Sequence, residues 1–175
     1  MVESTVEKHS PLKILMIVLL SLLLATIFLL WTTIAFPGGM TVFSGKRPTN
    51  IGVQAGKLAP CPNSPNCVNS QSQDSLHKIE PLTYNSTPAE AMANLKKVIE
   101  SEERTKIITE NSHYLYAEFT SKIMGFVDDV EFYLDENSNT IQVRSASRLG
   151  QSDLGVNRKR IETIRAKFQE LKSAS

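Results

Sequence analysis

Chemistry-bearing residue types are scarce in this chain. Its 175 residues include two cysteines, three histidines and one tryptophan. A tetrahedral metal site takes four ligands at short spacing, and Cys61, Cys67 and the distant His77 fall short of that set. No nucleophile elbow, glycine-rich phosphate loop or dinucleotide fingerprint occurs. Neither metal nor cofactor is therefore expected, and no reaction is legible from motifs. An excess of one charge is also missing, since 19 basic and 18 acidic residues leave +1. Nucleic-acid binders cluster basic residues on one face, whereas the densest run here is Asn157-Arg158-Lys159-Arg160. On a helix that run reads as a solvated face, with Arg158 and Glu162 as an i,i+4 pair, and nucleic acid is not an expected partner. Internal repeats are absent as well.

Charge vanishes altogether between Ile14 and Phe36. At about 1.5 Å per helical residue this stretch spans a hydrocarbon layer of about 30 Å. The apolar region of a cleaved signal is usually only about 7–15 residues long, and Thr33-Ile34-Ala35 is a poor cleavage site. An uncleaved transmembrane anchor over 14–36, preceded by a tail over 1–13, is the expectation, with membrane lipid as its partner. A cleaved signal is the alternative. Trp31 lies where interfacial aromatics sit, and Pro37-Gly38-Gly39 is expected to stop the helix. Lys8 and Lys13 before the span nearly balance Lys46 and Arg47 after it, so charge does not orient it. The cysteines do. Cys61-Pro62-Asn63-Ser64-Pro65-Asn66-Cys67 is a proline-stiffened loop able to close into a disulfide, and such bridges persist in oxidising compartments. Free thiols, or a metal or redox pair, are the alternatives. The disulfide reading places the following domain outside the cytoplasm.

Residues 37–75, rich in Gly, Pro, Asn, Ser and Gln, read as a linker or an extended arm lying on the domain. Residues 76–175 suffice for one core. Thr87-Pro88-Ala89-Glu90 is a capping box with proline in the first helical position, and Met92, Leu95, Val98 and Ile99 form the stripe of the helix it opens. Strands are expected over Lys106–Thr109, His113–Thr120, Phe126–Leu134 and Thr140–Ser147, the last two joined by the turn-forming 135–139 segment. Leu76–Leu82 is a candidate fifth strand, shortened or at an edge because of Pro81. A final helix carries Ile161, Ile164, Phe168 and Leu171, with Ser152, Asp153 or Asn157 as its cap. The fold class is α+β: an antiparallel sheet of four to five strands, two helices on one face, after one N-terminal transmembrane helix.

Charge segregates along this domain. From Asp74 to Glu136 there are 13 acids and 6 basic residues, and from Arg144 onward 8 basic residues and 3 acids. The simplest hairpin register sets Leu134 against Ile141, Phe132 against Val143 and Glu131 against Arg144, with Asp129 diagonal to Arg144 and Arg148. That is a surface ladder worth about 0.2–1 kcal/mol per exposed pair. The same register puts Asp128 opposite Ser147 on the apolar face, where a carboxylate needs partners. Arg158 and Asn157, one turn before Ile161, are expected to meet it. Arg144, Ser145, Ser147, Arg148, Asn157, Arg158 and Asp128 are thus candidates for a site holding an anion or a partner's acidic tail. An enzyme using Asp128 or Asp129 with His113 for proton transfer is the alternative.

Two segments carry a resemblance: Gly125-Phe126-Val127-Asp128-Asp129-Val130-Glu131-Phe132, and the run from Val143 to Arg158, VRSASRLGQSDLGVNR. They resemble the domain-of-unknown-function family 1499. Arg47-Pro48-Thr49-Asn50-Ile51-Gly52 and Cys61–Val68 resemble its versions in photosynthetic bacteria and plastid-derived relatives. The resemblance implies a membrane-anchored or exported protein and carries over no activity or active-site residue; together with the disulfide reading, the domain is expected in a periplasm or thylakoid lumen. The expectation is a non-enzymatic extracytoplasmic binding or assembly module.

Overall fold

The computed structural model describes residues 10–35 and 43–173, which fall into two compact units, Met1–Met40 and Thr41–Ser175. The first contains α1 (Pro11–Ala35). Ser10 opens it by accepting from the amides of Lys13 and Ile14, and Pro11 needs no partner in the first helical position. Pro11–Trp31 is long and apolar enough to cross a membrane, and none of it is buried in protein. Ser21 and Thr26 donate back to the Val18 and Leu23 carbonyls at 2.8 Å, the local satisfaction that hydrocarbon requires. Of the expected tail over 1–13, residues 11–13 belong to α1, and residues 1–9, like the end of the span at Phe36 and the stop at Pro37-Gly38-Gly39, lie outside the described residues.

The second unit is α+β. Its elements are β1 (Cys67–Asn69), β2 (Leu82–Thr83), α2 (Pro88–Glu100), β3 (Thr105–Glu110), β4 (Tyr114–Thr120), β5 (Val127–Asp135), β6 (Thr140–Ser147) and α3 (Val156–Ser173). The strands make one antiparallel sheet in the order β1-β6-β5-β4-β3, and β2 pairs with the start of β6. The β5–β6 register is the one the apolar alternation dictates: Leu134 on Ile141, Phe132 on Val143, Glu131 on Arg144 and Asp128 on Ser147.

The Thr87 hydroxyl caps α2 by accepting the Glu90 amide, and the helix buries Ala91, Met92, Leu95, Val98 and Ile99. At the start of α3, Asp153 accepts from the amides of Gly155 and Asn157 at 3.0 and 2.7 Å. That leaves the Asn157 side chain free to turn inward. Both helices cover one sheet face, where their stripes meet Leu115, Ala117, Val130, Phe132, Leu134, Ile141 and Val143. Each large apolar side chain fully buried there contributes roughly 1.5–3 kcal/mol.

Two segments differ from the simplest reading. Of Leu76–Leu82, only Leu82 enters a strand, and Lys78 makes an isolated bridge to Asn69; Pro81 has no amide to extend the ladder. The arm supplies β1 and then covers the opposite sheet face, where Ile51, Val53 and Leu58 pack with Ile108, Tyr114, Tyr116 and Tyr133. The sheet is therefore buried on both faces, by helices on one and by the arm on the other.

Candidate functional site

On the arm-covered face β4 presents Tyr114, Tyr116 and Glu118, β5 presents Asp129 and Glu131, and β6 presents Arg144, with Arg148 just past its end. The sequence makes this an exposed ladder, but the arm buries it: Glu131 is 0% and Asp129 1% exposed. A carboxylate so enclosed is costly unless its oxygens are bonded. Glu131 Oε1 accepts from the Gly52 amide at 2.7 Å and the Tyr114 hydroxyl at 2.8 Å, and Oε2 from Arg144 Nη1 at 3.2 Å. Asp129 accepts from the Tyr116 hydroxyl at 2.5 Å and from Arg148 Nε and Nη2 at 2.9 and 2.7 Å. Arg148 Nη2 also reaches Glu118, which takes a second guanidinium, Arg47, at 2.6 Å.

The protonation of this face follows from that wiring. Burial, with Glu131 beside it, pushes the Tyr114 hydroxyl well above its ordinary range, and burial with Asp129 does the same to Tyr116. Hydrogen bonding to Asp129 drives Arg148 upward against desolvation. Burial alone raises Glu118, but Arg148 and Arg47 outweigh it and hold the carboxyl below its ordinary 4.5. Both tyrosines are therefore neutral, and Glu118 and Arg148 charged, at neutral pH.

The inner face holds a second cluster. Asp128 pairs with Arg160 Nη2 at 2.5 Å, and the Arg160 guanidinium lies 4.9 Å from the Phe119 ring centroid. Arg160 Nη1 donates to Asn157 Oδ1 at 2.6 Å and Ser145 Oγ at 3.2 Å. Asn157 Nδ2 donates to the Asn66 carbonyl and to Ser147 Oγ, while Ser145 Oγ donates to Asn157 Oδ1. Asn157, fully buried, thus ties α3 to β6 and to the loop before β1.

The expected meeting of Arg158 with Asp128 does not occur. Arg158 donates instead to the carbonyls of Lys78 and Leu76 at 2.8 and 3.0 Å. Residues 158 and 160 lie about 200° apart on a helix, and Arg160 reaches Asp128 by lying over Phe119, the register partner of Asp128. The acid–base grouping is not assembled either. His113 bonds Glu136 at 2.6 Å and Ser112 at 2.7 Å, and its carbonyl accepts from Leu134, six residues and roughly 20 Å along the strand from Asp128. Asp128 and Asp129 bond partners on opposite sheet faces. Cys61 and Cys67 form a disulfide with a Cα separation of 5.7 Å, and His77 bonds Asp74 at 2.7 Å.

Of the candidate arginines, Arg144 is buried with one guanidinium nitrogen unpartnered among the described residues. Arg148 and Arg158 have their acceptors, whereas the buried Arg144 side chain makes a single hydrogen bond, to Glu131, and its Nε has no partner among the described residues. Arg144 is the cross-strand partner of Asn69, and its carboxylate partner Glu131 is held by Gly52. Asn69 and Gly52 both line a cavity of about 480 Å³ between the arm and β1, with Asn50, Gln54, Lys57 and Gln71. Asn69 and Gln71 are locked to the Ala59 and Gly56 carbonyls. Sequence reasoning missed Arg160, Arg47, Tyr114 and Tyr116 as members of these networks. The alternation in β4 did hold a signal, since it puts both tyrosines and Glu118 on the face of Asp129 and Glu131.

A two-faced α+β sheet with its charges buried between sheet and arm, and a polar cleft beside β1, describes a small framework domain. The family model described as Protein of unknown function (DUF1499) matches residues 57–168, and the chain belongs to that family. The match takes in every strand, α2 and most of α3, and excludes α1 and the Arg47–Gly52 motif. Comparison with the curated proteins finds no match.

Proposed function

We propose that the protein is a non-enzymatic binding module tethered by α1, with its α+β unit outside the cytoplasm and an anionic oxygen as the group it captures. The carrying observation is Arg144, a buried guanidinium whose Nε has no partner among the described residues and whose cross-strand partner Asn69 lines a polar cavity that also holds Lys57. A buried donor without an acceptor costs about 1–3 kcal/mol, and a ligand oxygen supplied through the cavity relieves that cost. The neighbouring Arg148, Asp129 and Glu118 are saturated by one another, and the Asp128–Arg160–Asn157 group joins α3 to the sheet, so both act as framework. The Cys61–Cys67 bridge supports an oxidising compartment, and α1 supports a single membrane span. The acid–base alternative has no assembled group behind it.

Calorimetric titration of the full chain in detergent with inorganic phosphate and with acetate tests the site. Glu131→Gln keeps Arg144 and removes a competing charge, so it binds at least as tightly as the wild type. Glu131→Gln with Arg144→Met removes the capturing group without stranding a carboxylate. Equal anion binding by these two variants rejects Arg144 as the site, whereas loss in the double variant alone supports it. Protease accessibility of residues 43–173 in sealed vesicles, with and without reductant, tests orientation and the disulfide together.

A further inference from the structure

The sheet end formed by the close of β4, the start of β5 and the close of β6 carries apolar side chains that the core does not use. Ile123 is 88% and Leu154 95% exposed, and Met124, Phe126, Leu149 and Val156 are at least partly open beside them. Phe126, Leu149 and Val156 line one depression together with Asp128, paired with Arg160, and Asp153, the cap of α3, and the two loops bearing Ile123 and Leu154 flank it. Leu154 is also held at φ +54°, a conformation that L residues other than Asn and Asp seldom adopt. The loop thus keeps an aliphatic side chain outward in a disfavoured backbone state. Clustered exposed apolar residues mark a contact surface.

The chain's own connectivity identifies the occupant. Phe43, the first described residue after the tether, stacks on Phe126 with ring centroids 5.2 Å apart. A Cβ built on Gly45 meets Arg148 and Leu149, so the arm enters the domain through this apolar end. Seven residues, 36–42, join Ala35, the last residue of α1, to Phe43 in the sequence. Lys46, Lys122 and Lys159 lie exposed around the same end, with no acidic partner for their ammonium groups among the described residues. Apolar side chains at loop tips with lysines on the neighbouring segments suit the headgroup–acyl boundary of an anionic bilayer.

We infer that this end docks on the surface of the membrane holding α1, with Ile123 and Leu154 inserted among the lipids and the lysines among anionic headgroups. The inference rests on the reading of α1 as a retained anchor. Docking fixes which end of the domain faces lipid, and it leaves the β5–β6 turn pointing away.

Because both native cysteines are in the disulfide, a single introduced cysteine can be labelled alone. The full chain, with Ile123→Cys, Leu154→Cys or Asn137→Cys carrying a polarity-sensitive fluorophore, is reconstituted into phosphatidylcholine vesicles with or without phosphatidylglycerol. Some acyl chains carry a nitroxide quencher. Labels at 123 and 154 are expected to be quenched at least threefold more than the label at 137 in the β5–β6 turn, with a blue-shifted emission. Lys46→Glu, Lys122→Glu and Lys159→Glu together are expected to abolish the enhancement by phosphatidylglycerol. Equal quenching at all three positions overturns the inference. So does a label at 123 that cross-links to its counterpart while shielded from lipid, because a second copy then covers the end. Carbonate extraction of native membranes reports on the anchor separately, since a chain released there defeats the tether without bearing on the labels.

Discussion

Arg148→Ala is expected to destabilise the domain by about 3–5 kcal/mol, the usual cost of removing one partner from a buried ion pair. Arg148 gives Asp129 three hydrogen bonds, from Nε at 2.9 and 3.2 Å and from Nη2 at 2.7 Å, and it gives Glu118 another. Asp129, 1% exposed in the intact domain, would then retain only the Tyr116 hydroxyl. Glu118 keeps Arg47 and suffers less. Small domains have about 5–15 kcal/mol in all, and at about 2 kcal/mol per molar urea the midpoint falls by roughly 1.5–2.5 M. Adding Asp129→Asn removes the stranded charge, so the double variant is expected to recover at least about 1 kcal/mol relative to Arg148→Ala. Urea titration of the full chain in detergent, followed by near-ultraviolet circular dichroism, measures this cleanly. All four tyrosines lie between residues 84 and 133, whereas the one tryptophan is Trp31 in α1. An exposed ladder costs under about 1 kcal/mol. A loss that small, or a double variant weaker than the single one, refutes the buried network.

Asn157→Leu breaks bonds to Ser145, Ser147, Asn66 and Arg160 at once and is expected to cost about 2–4 kcal/mol by the same titration; Arg158→Ala, which loses two exposed carbonyl contacts, costs under about 1 kcal/mol. Opening the Cys61–Cys67 loop with reductant is expected to lower stability by about 2 kcal/mol, the value for so short a loop, and to loosen Asn66, which hydrogen exchange reads at its β6 partner Ser147. For pH, Glu118 has a folded pKa below its ordinary 4.5, so its contribution is fully present above about pH 4.5 and is lost as pH falls through the folded value. Glu118→Gln is therefore expected to show a shallower decline in melting temperature below pH 4.5 than the wild type.

The elements legible in the sequence are those with a strong period. Thr87-Pro88, the stripe from Met92 to Ile99 and the stripe from Ile161 to Phe168 each name a helix and its buried face. The alternation of Phe132, Leu134, Ile141 and Val143 fixes the β5–β6 register, because a slip of one residue turns the apolar side chains to the wrong face. What the arm does was not legible. Ile51, Val53 and Leu58 are scattered among glycine, glutamine and lysine with no period, and their role depends on tyrosines about sixty residues away. Burial of Asp129 and Glu131 follows from that long-range cover and from nothing local. The exchange of Arg158 for Arg160 has another origin: periodicity reports where a Cβ points, and a long guanidinium can reach around the helix to an aromatic ring.

The most direct test of framework against site is the exchange and shift behaviour of arginine Nε–H resonances in a ¹⁵N-labelled full chain titrated with inorganic phosphate. Arg148 Nε–H, bonded to both Asp129 oxygens, is predicted to be protected from exchange and unmoved by phosphate. The resonance of Arg144 Nε–H, which has no partner, is predicted to shift in a saturable manner. A shift at Arg148 with none at Arg144 contradicts the account.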